Sequence, residues 1–168
     1  MKFLKNIIRR NPDYVPERKY LILKNRKNII IHHYCPHTFN AGDHFVIKSI
    51  RKHLLEVLPD AIFVPKAVAN NRGWGKPIGL RGENIRMSNE YADAVIVGGS
   101  DQYNNWSPRI SRHEIDNLIP PLFLIGLGVS SKNLNSEPYL KDPELIKDIL
   151  ATNRKAALSS VRDEITSG

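Results

Sequence analysis

Two short runs in this chain hold residue types that could do chemistry. The first is Gly98-Gly99-Ser100-Asp101-Gln102-Tyr103-Asn104-Asn105, where two glycines open into small polar and acidic groups. The second is Asn40-Ala41-Gly42-Asp43. Glycine has no Cβ, so backbone can approach a ligand closely there. A carboxylate such as Asp43 or Asp101 can accept the proton of an attacking hydroxyl. Each run also has a plainly structural reading. The first is a tight strand-to-helix turn with a polar lid. In the second, Asp43 is the N-cap of the next helix, its carboxylate accepting from a free backbone N–H. The residues alone leave both readings open.

A third cluster, His32-His33-Tyr34-Cys35-Pro36-His37 with nearby His44, collects metal-ligand types. Neighbours on a strand point to opposite faces, so His32 and His33 cannot chelate one ion, and no metal is expected. Trp74 and Lys76 sit in a Gly- and Asn-rich stretch after Pro65. They would either stack on a sugar or base or anchor the loop to the core. The runs Asn40–Asp43 and Ser130–Asn133 precede helices, whose free N–H groups favour anions.

Five apolar segments must position these groups. Ile29–Tyr34, Ala61–Val64, Ala94–Val97, Leu122–Leu127 and Ala156–Val161 are short and rich in branched residues, which predicts buried strands. Tyr20–Leu23 is a further short strand candidate. Between them the spacing predicts a helix from about His44 to Leu58, with Val46, Ile50, Leu54, Val57 and Leu58 inward and Lys48, Arg51, Lys52 and Glu56 outward. A helical segment is expected around Asn84–Tyr91 and a short one around His113–Leu118. Asp142-Pro143-Glu144 starts another, with Leu145, Ile146, Ile149 and Leu150 as its buried face. Pro65 to about Gly82 reads as loop. Strands alternating with helices predict an α/β fold, a Rossmann-like parallel sheet with helices on both faces. Ligands in such sheets sit outside the carboxyl ends of the strands. Neither a Gly-x-Gly-x-x-Gly nor a Gly-Lys-Ser/Thr phosphate loop is present.

The 168 residues suffice for about one domain, here 28–168, preceded by a basic extension over 1–27. The formal net charge of +8 favours anionic partners. The basic residues are spread rather than clustered, so no nucleic acid is expected. Cys35 is the only cysteine, which fits a reducing compartment, the cytoplasm. No apolar run approaches the roughly 20 residues that span a bilayer. In the extension, Lys2, Lys5, Arg9 and Arg10 interleave with Phe3, Leu4, Ile7 and Ile8. Such a segment either packs on the domain or contacts an anionic membrane at its inner face.

Four stretches, in order, resemble the polysaccharide pyruvyl transferase family: FNAGDHFVIKSIRKHL, ADAVIVGGSDQYNNWSP, PLFLIGLGVSS and LSSVRDEITS. The resemblance implies one half of a glycosyltransferase-B-like fold. It also implies transfer of pyruvate from phosphoenolpyruvate to a saccharide hydroxyl, with ketal formation. The donor is a substrate and no cofactor is implied, and the acceptor is a saccharide or lipid-linked glycan. By matched position, Asp43 and Asp101 become the catalytic candidates. Asn40, Gly42, Gly99, Ser100, Gln102, Asn104 and Arg162 become the substrate-binding candidates. The family continues for about another domain after Ser-x-Arg-Asp, so the expectation is a fragment that is an enzyme only when a second domain completes it. Tyr103 and the pair Asn104-Asn105 before Trp106 depart slightly from the family's turn. The alternatives are a glycosyltransferase-like enzyme with another donor and a non-catalytic saccharide-binding module.

Overall fold

The structure, a computed structural model, describes residues 28–35, 41–68, 79–99, 110, 112–128 and 143–161. Five strands and four helices alternate along them: β1 (Ile29–Cys35), α1 (Ala41–Val57), β2 (Ala61–Ala67), α2 (Gly82–Tyr91), β3 (Ala94–Gly98), α3 (Arg112–Ile115), β4 (Leu122–Leu127), α4 (Pro143–Lys155) and β5 (Leu158–Val161). The sheet order is β2-β1-β3-β4-β5 and every pairing is parallel. This is the expected α/β, Rossmann-like sheet.

Strand alternation divides the core into two layers. Tyr34, Val95, Val97, Leu122 and Leu124 face one side, against Ile85 of α2, Ile115 of α3 and Ala151 of α4. Ile29, Ile31, Ala94, Ile96, Phe123 and Ile125 face the other, against Leu54 and Val57 of α1. Helices therefore lie on both faces. All of β3 is buried, because it sits in the middle of the sheet with a layer on each side. Asp93 ties the two central strands at their start. Its Oδ2 accepts from Ile30 N–H at 2.8 Å, and its own N–H donates to the Ile30 carbonyl at 2.8 Å.

Several boundaries differ from the sequence-based expectation, each for a physical reason. β2 runs on through Pro65 to Ala67. It is an edge strand, and an edge tolerates a residue that cannot donate to the ladder. α1 begins at Ala41, so Asp43 lies inside its first turn and is not the N-cap. Its charge there still complements the helix dipole. The inward stripe of α1 holds at Leu54, Val57 and Leu58, and the buried Ile47 joins it, whereas Val46 and Ile50 line an open apolar groove of about 340 Å³ with Phe45 and Ile125. In α4, Ile146 and Leu150 are exposed, and the helix packs through Ala151 and the buried Thr152 instead. α3 is confined to Arg112–Ile115. β5 pairs with β4 from Leu158 and is exposed along its length. The strand candidate at Tyr20–Leu23, the basic extension, Trp74 and Ser130–Asn133 lie outside the described residues. No described helix is long and apolar enough to cross a membrane.

Candidate functional site

The strand order reverses between β1 and β3. From β1 the chain passes to β2 on one side, and from β3 it passes to β4 and β5 on the other. A crevice opens outside the carboxyl ends of strands at such a reversal, and ligands of open α/β sheets bind there. Gly42-Asp43 and Gly98-Gly99, the described residues of the two polar runs, lie near this point. β1 ends at Cys35, and α1 follows with Gly42 and Asp43 in its first turn. β3 ends at Gly98, followed by Gly99.

Gly99 shows why the turn needs glycine. Its φ is +98°, in the left-handed region, and a Cβ would sit 2.9 Å from Ile47 Cγ1. The end of β3 thus lies against α1 about one helical turn beyond Asp43. Gly98 is equally constrained, because a Cβ there would run into the Ile125 carbonyl of β4. Gly42, Asp43 and Gly99 are therefore brought to one rim. Asn40, Ser100, Asp101, Gln102, Asn104 and Arg162 lie outside the described residues.

Beneath the rim, β1 carries two polar clusters on opposite faces. His32 and Tyr34 point towards α2. His32 Nδ1 lies 3.0 Å from Ser88 Oγ, and Tyr34 Oη lies 2.9 Å from the same oxygen. Tyr34 also donates to the Asn84 carbonyl at 3.1 Å. A phenol has one proton, so Tyr34 accepts from Ser88, and Ser88 in turn accepts from His32 Nδ1–H. Burial outweighs the Ser88 hydrogen bond and pushes the Tyr34 phenol up to about 12.

His33 and Cys35 point towards α1. Arg51 Nε donates to His33 Nδ1 at 3.2 Å, and Arg51 Nη2 donates to Cys35 Sγ at 3.7 Å. The guanidinium carbon lies 5.7 Å from the Phe63 ring centroid, within cation–π range. Burial, with the Arg51 charge beside it, lowers His33 to about 4. Because Nδ1 accepts from Arg51, the proton of the neutral ring sits on Nε2. That nitrogen is buried and makes no well-formed hydrogen bond, although the Gly98 carbonyl acts on the ring and partly offsets the lowering. Burial also pushes the Cys35 thiol up, against the opposing pull of Arg51.

Arg51, expected on the solvent face of α1, instead turns inward to β1. Arg51 follows Ile47 by four residues and precedes Leu54 by three, so it belongs to the inward stripe. That spacing was the available signal. The side chain leans towards the N-terminal end of its helix, as helical side chains do, and so reaches the carboxyl end of β1. Histidines 32 and 33 occupy opposite faces, as strand alternation requires. Among the described residues, no three His, Cys, Asp or Glu side chains gather as metal ligands.

A family model described as polysaccharide pyruvyl transferase matches residues 40–167. The match begins at the Asn-x-Gly-Asp run and takes in α1 and the end of β3, while β1 lies before it. No curated protein matches, and no solved structure matches. With most of its length covered by that one match, the chain belongs to the polysaccharide pyruvyl transferase family.

Proposed function

We propose that this chain serves the transfer of pyruvate from phosphoenolpyruvate to a saccharide hydroxyl, forming a ketal, at the crevice between β1 and β3. The observation that supports it most is the placement of Gly42 and Asp43 in the first turn of α1 and of Gly99 against that helix at the end of β3, beside the strand-order reversal of the described sheet and within the span of the family match. The chemistry asks for three things. The methylene carbon of the donor takes a proton, which leaves an oxocarbenium-like C2. A sugar hydroxyl oxygen bonds to C2 as its proton passes to a carboxylate, the role assigned to Asp43 or Asp101. Phosphate leaves C2, its charge met by basic groups, and a second hydroxyl closes the ketal. Asn40, Ser100, Gln102, Asn104 and Arg162 are assigned to holding the saccharide and the donor's acidic groups. The acceptor is taken to be a saccharide or lipid-linked glycan met in the cytoplasm, at the inner face of the membrane.

Phosphate release from phosphoenolpyruvate, measured with and without candidate glycan acceptors, tests the reading. Acceptor-dependent release that falls at least about a hundredfold in Asp43→Asn or Asp101→Asn supports it, the scale expected for a lost general base. Saccharide binding with no release would replace it with a binding module. Release from a different activated donor would replace it with another glycan-modifying transferase.

A further inference from the structure

Arg51 carries a positive charge that no described residue balances. Its three neighbours are the His33 ring, the Cys35 thiol and the face of Phe63. None of them supplies a negative charge. The imidazole can only be neutral or positive, and the thiol is held protonated by burial. The ion pairs among the described residues lie on α1, α2, α3 and α4 at other side chains, and none involves Arg51. A half-buried cation without an anion is a costly arrangement unless something completes it.

His33 supplies a second, independent sign. It is fully buried, and its Nε2–H makes no well-formed hydrogen bond, with only the Gly98 carbonyl acting on the ring from β3. Such groups are rare in folded proteins and call for an explanation. Arg51 uses two of its three guanidinium nitrogens on neutral partners. A guanidinium has five N–H donors and no acceptor, so donor capacity is left over. Both groups lie at the carboxyl end of β1, next to the strand-order reversal. The hydrogen bond to His33 and the contact with Phe63 fix the plane of the guanidinium, and a fixed plane favours two-pronged capture of a flat or tetrahedral oxyanion.

We propose that Arg51 is a binding residue for an oxyanion, a carboxylate or phosphate group of the ligand in the β1–β3 crevice, and that His33 is the positioning residue that aims it. The identity of the ligand rests on the function proposed above, since phosphoenolpyruvate carries both groups. The binding itself needs neither a saccharide nor turnover.

The test uses the full chain with inorganic phosphate and pyruvate as separate probes. The side-chain N–H signals of 15N-labelled arginine are followed, and the Arg51 signal is identified by its loss in Arg51→Lys. A saturable shift of that signal with phosphate assigns the site to the phosphate group. A saturable shift with pyruvate assigns it to the carboxylate. Calorimetry should then show affinity falling by about tenfold or more in Arg51→Met, with part retained in Arg51→Lys, as expected for a lost charge-assisted fork. Lys52→Met, on the exposed side of α1, should bind as the parent does. Absence of any shift with either anion overturns the inference, as does undiminished binding in Arg51→Met. The signal is read in the unaltered chain, and should Arg51→Lys fail to fold, the signal is identified there by its proximity to the His33 ring, so the test stands. Anion binding without pyruvyl transfer would sink the proposed function and keep this inference. Pyruvyl transfer untouched by Arg51→Met would do the reverse.

Discussion

On one face of β1, His32 and Tyr34 close onto Ser88, and on the other, His33 and Cys35 meet Arg51. The two clusters use adjacent residues of one strand, yet they are finished to different degrees. On the α2 face, protons pass in one direction, from His32 to Ser88 to Tyr34 to the Asn84 carbonyl, and the chain ends on a backbone acceptor. On the α1 face, a cation rests on neutral groups and the imidazole Nε2–H makes no well-formed hydrogen bond, with only the Gly98 carbonyl acting on the ring. A closed buried network holds a helix to a sheet, whereas an open one is poised for a partner. The difference separates a structural pin from a candidate site, although both look like buried histidine in the sequence.

The largest effect is expected at the floor of the open face. Gly98→Ala would push a methyl group into the Ile125 carbonyl and force β3 from β4 where the sheet is tightest. The expected cost is on the order of 3 kcal/mol, the upper end for overpacking, read as a lower urea midpoint. A variant as stable as the parent would mean that the strand end has slack. The open cluster could then not be held in the geometry described.

His33 should leave a mark in the pH dependence of stability. Its folded value near 4 lies below the ordinary 6.5. Between these values the unfolded chain takes up a proton that the folded chain refuses. Stability is therefore lost as pH falls from about 6.5 to about 4, with no further loss from this group below that. At about 1.4 kcal/mol for each pH unit over about 2.5 units, the full effect is on the order of 3 kcal/mol. His33→Gln keeps an acceptor for Arg51 and removes the titration. Its stability should thus fall less than the parent's across that window in paired denaturation curves. Identical pH profiles would show that His33 is solvated, and the contrast between the two faces would collapse.

Ser88→Ala tests the closed face. Truncation removes the acceptor of His32 Nδ1–H and the donor to Tyr34, in a fully buried position. Roughly 2 kcal/mol should be lost, the cost of stranding a buried polar group. Because the pin lies on the far side of β1, anion or saccharide binding should persist in the folded fraction. Loss of binding with little loss of stability would reverse the roles assigned to the two faces.

These contrasts mark what the sequence disclosed. β4 occupies Leu122–Leu127 as its apolar run predicts, and β1 and β3 each extend only one residue further. Continuous branched runs have one good fate in an α/β domain, so the strands and the strand-end glycines were legible. Pro65 was misleading, because whether proline ends a strand depends on whether that strand is an edge, which a single segment does not reveal. Asp43 suited a cap as well as a catalytic carboxylate by its type, but a cap is defined by backbone angles, and the helix starts earlier. Arg51 was hidden by its chemistry. A charged residue on a helix is normally assigned to solvent, and only its position four after Ile47 argues otherwise. The catalytic assignment rested on family likeness, since Asp43 or Asp101 alone resembles many helix starts and turns.

The smallest stability effect is expected at a residue whose loss should still weaken anion binding about tenfold or more. Arg51→Met removes a half-buried cation that lacks a counter-charge and leaves an unbranched apolar chain of similar reach beside Phe63. The His33 Nδ1 acceptor loses its donor, which costs about 1 kcal/mol. Relief from desolvating the guanidinium works in the opposite direction and is of similar or larger size. The net change in unfolding free energy should stay within about 1 kcal/mol of zero, in contrast to Ser88→Ala. A loss of several kcal/mol would show that Arg51 is a structural brace like Ser88, and the two faces of β1 would then differ in composition but not in purpose.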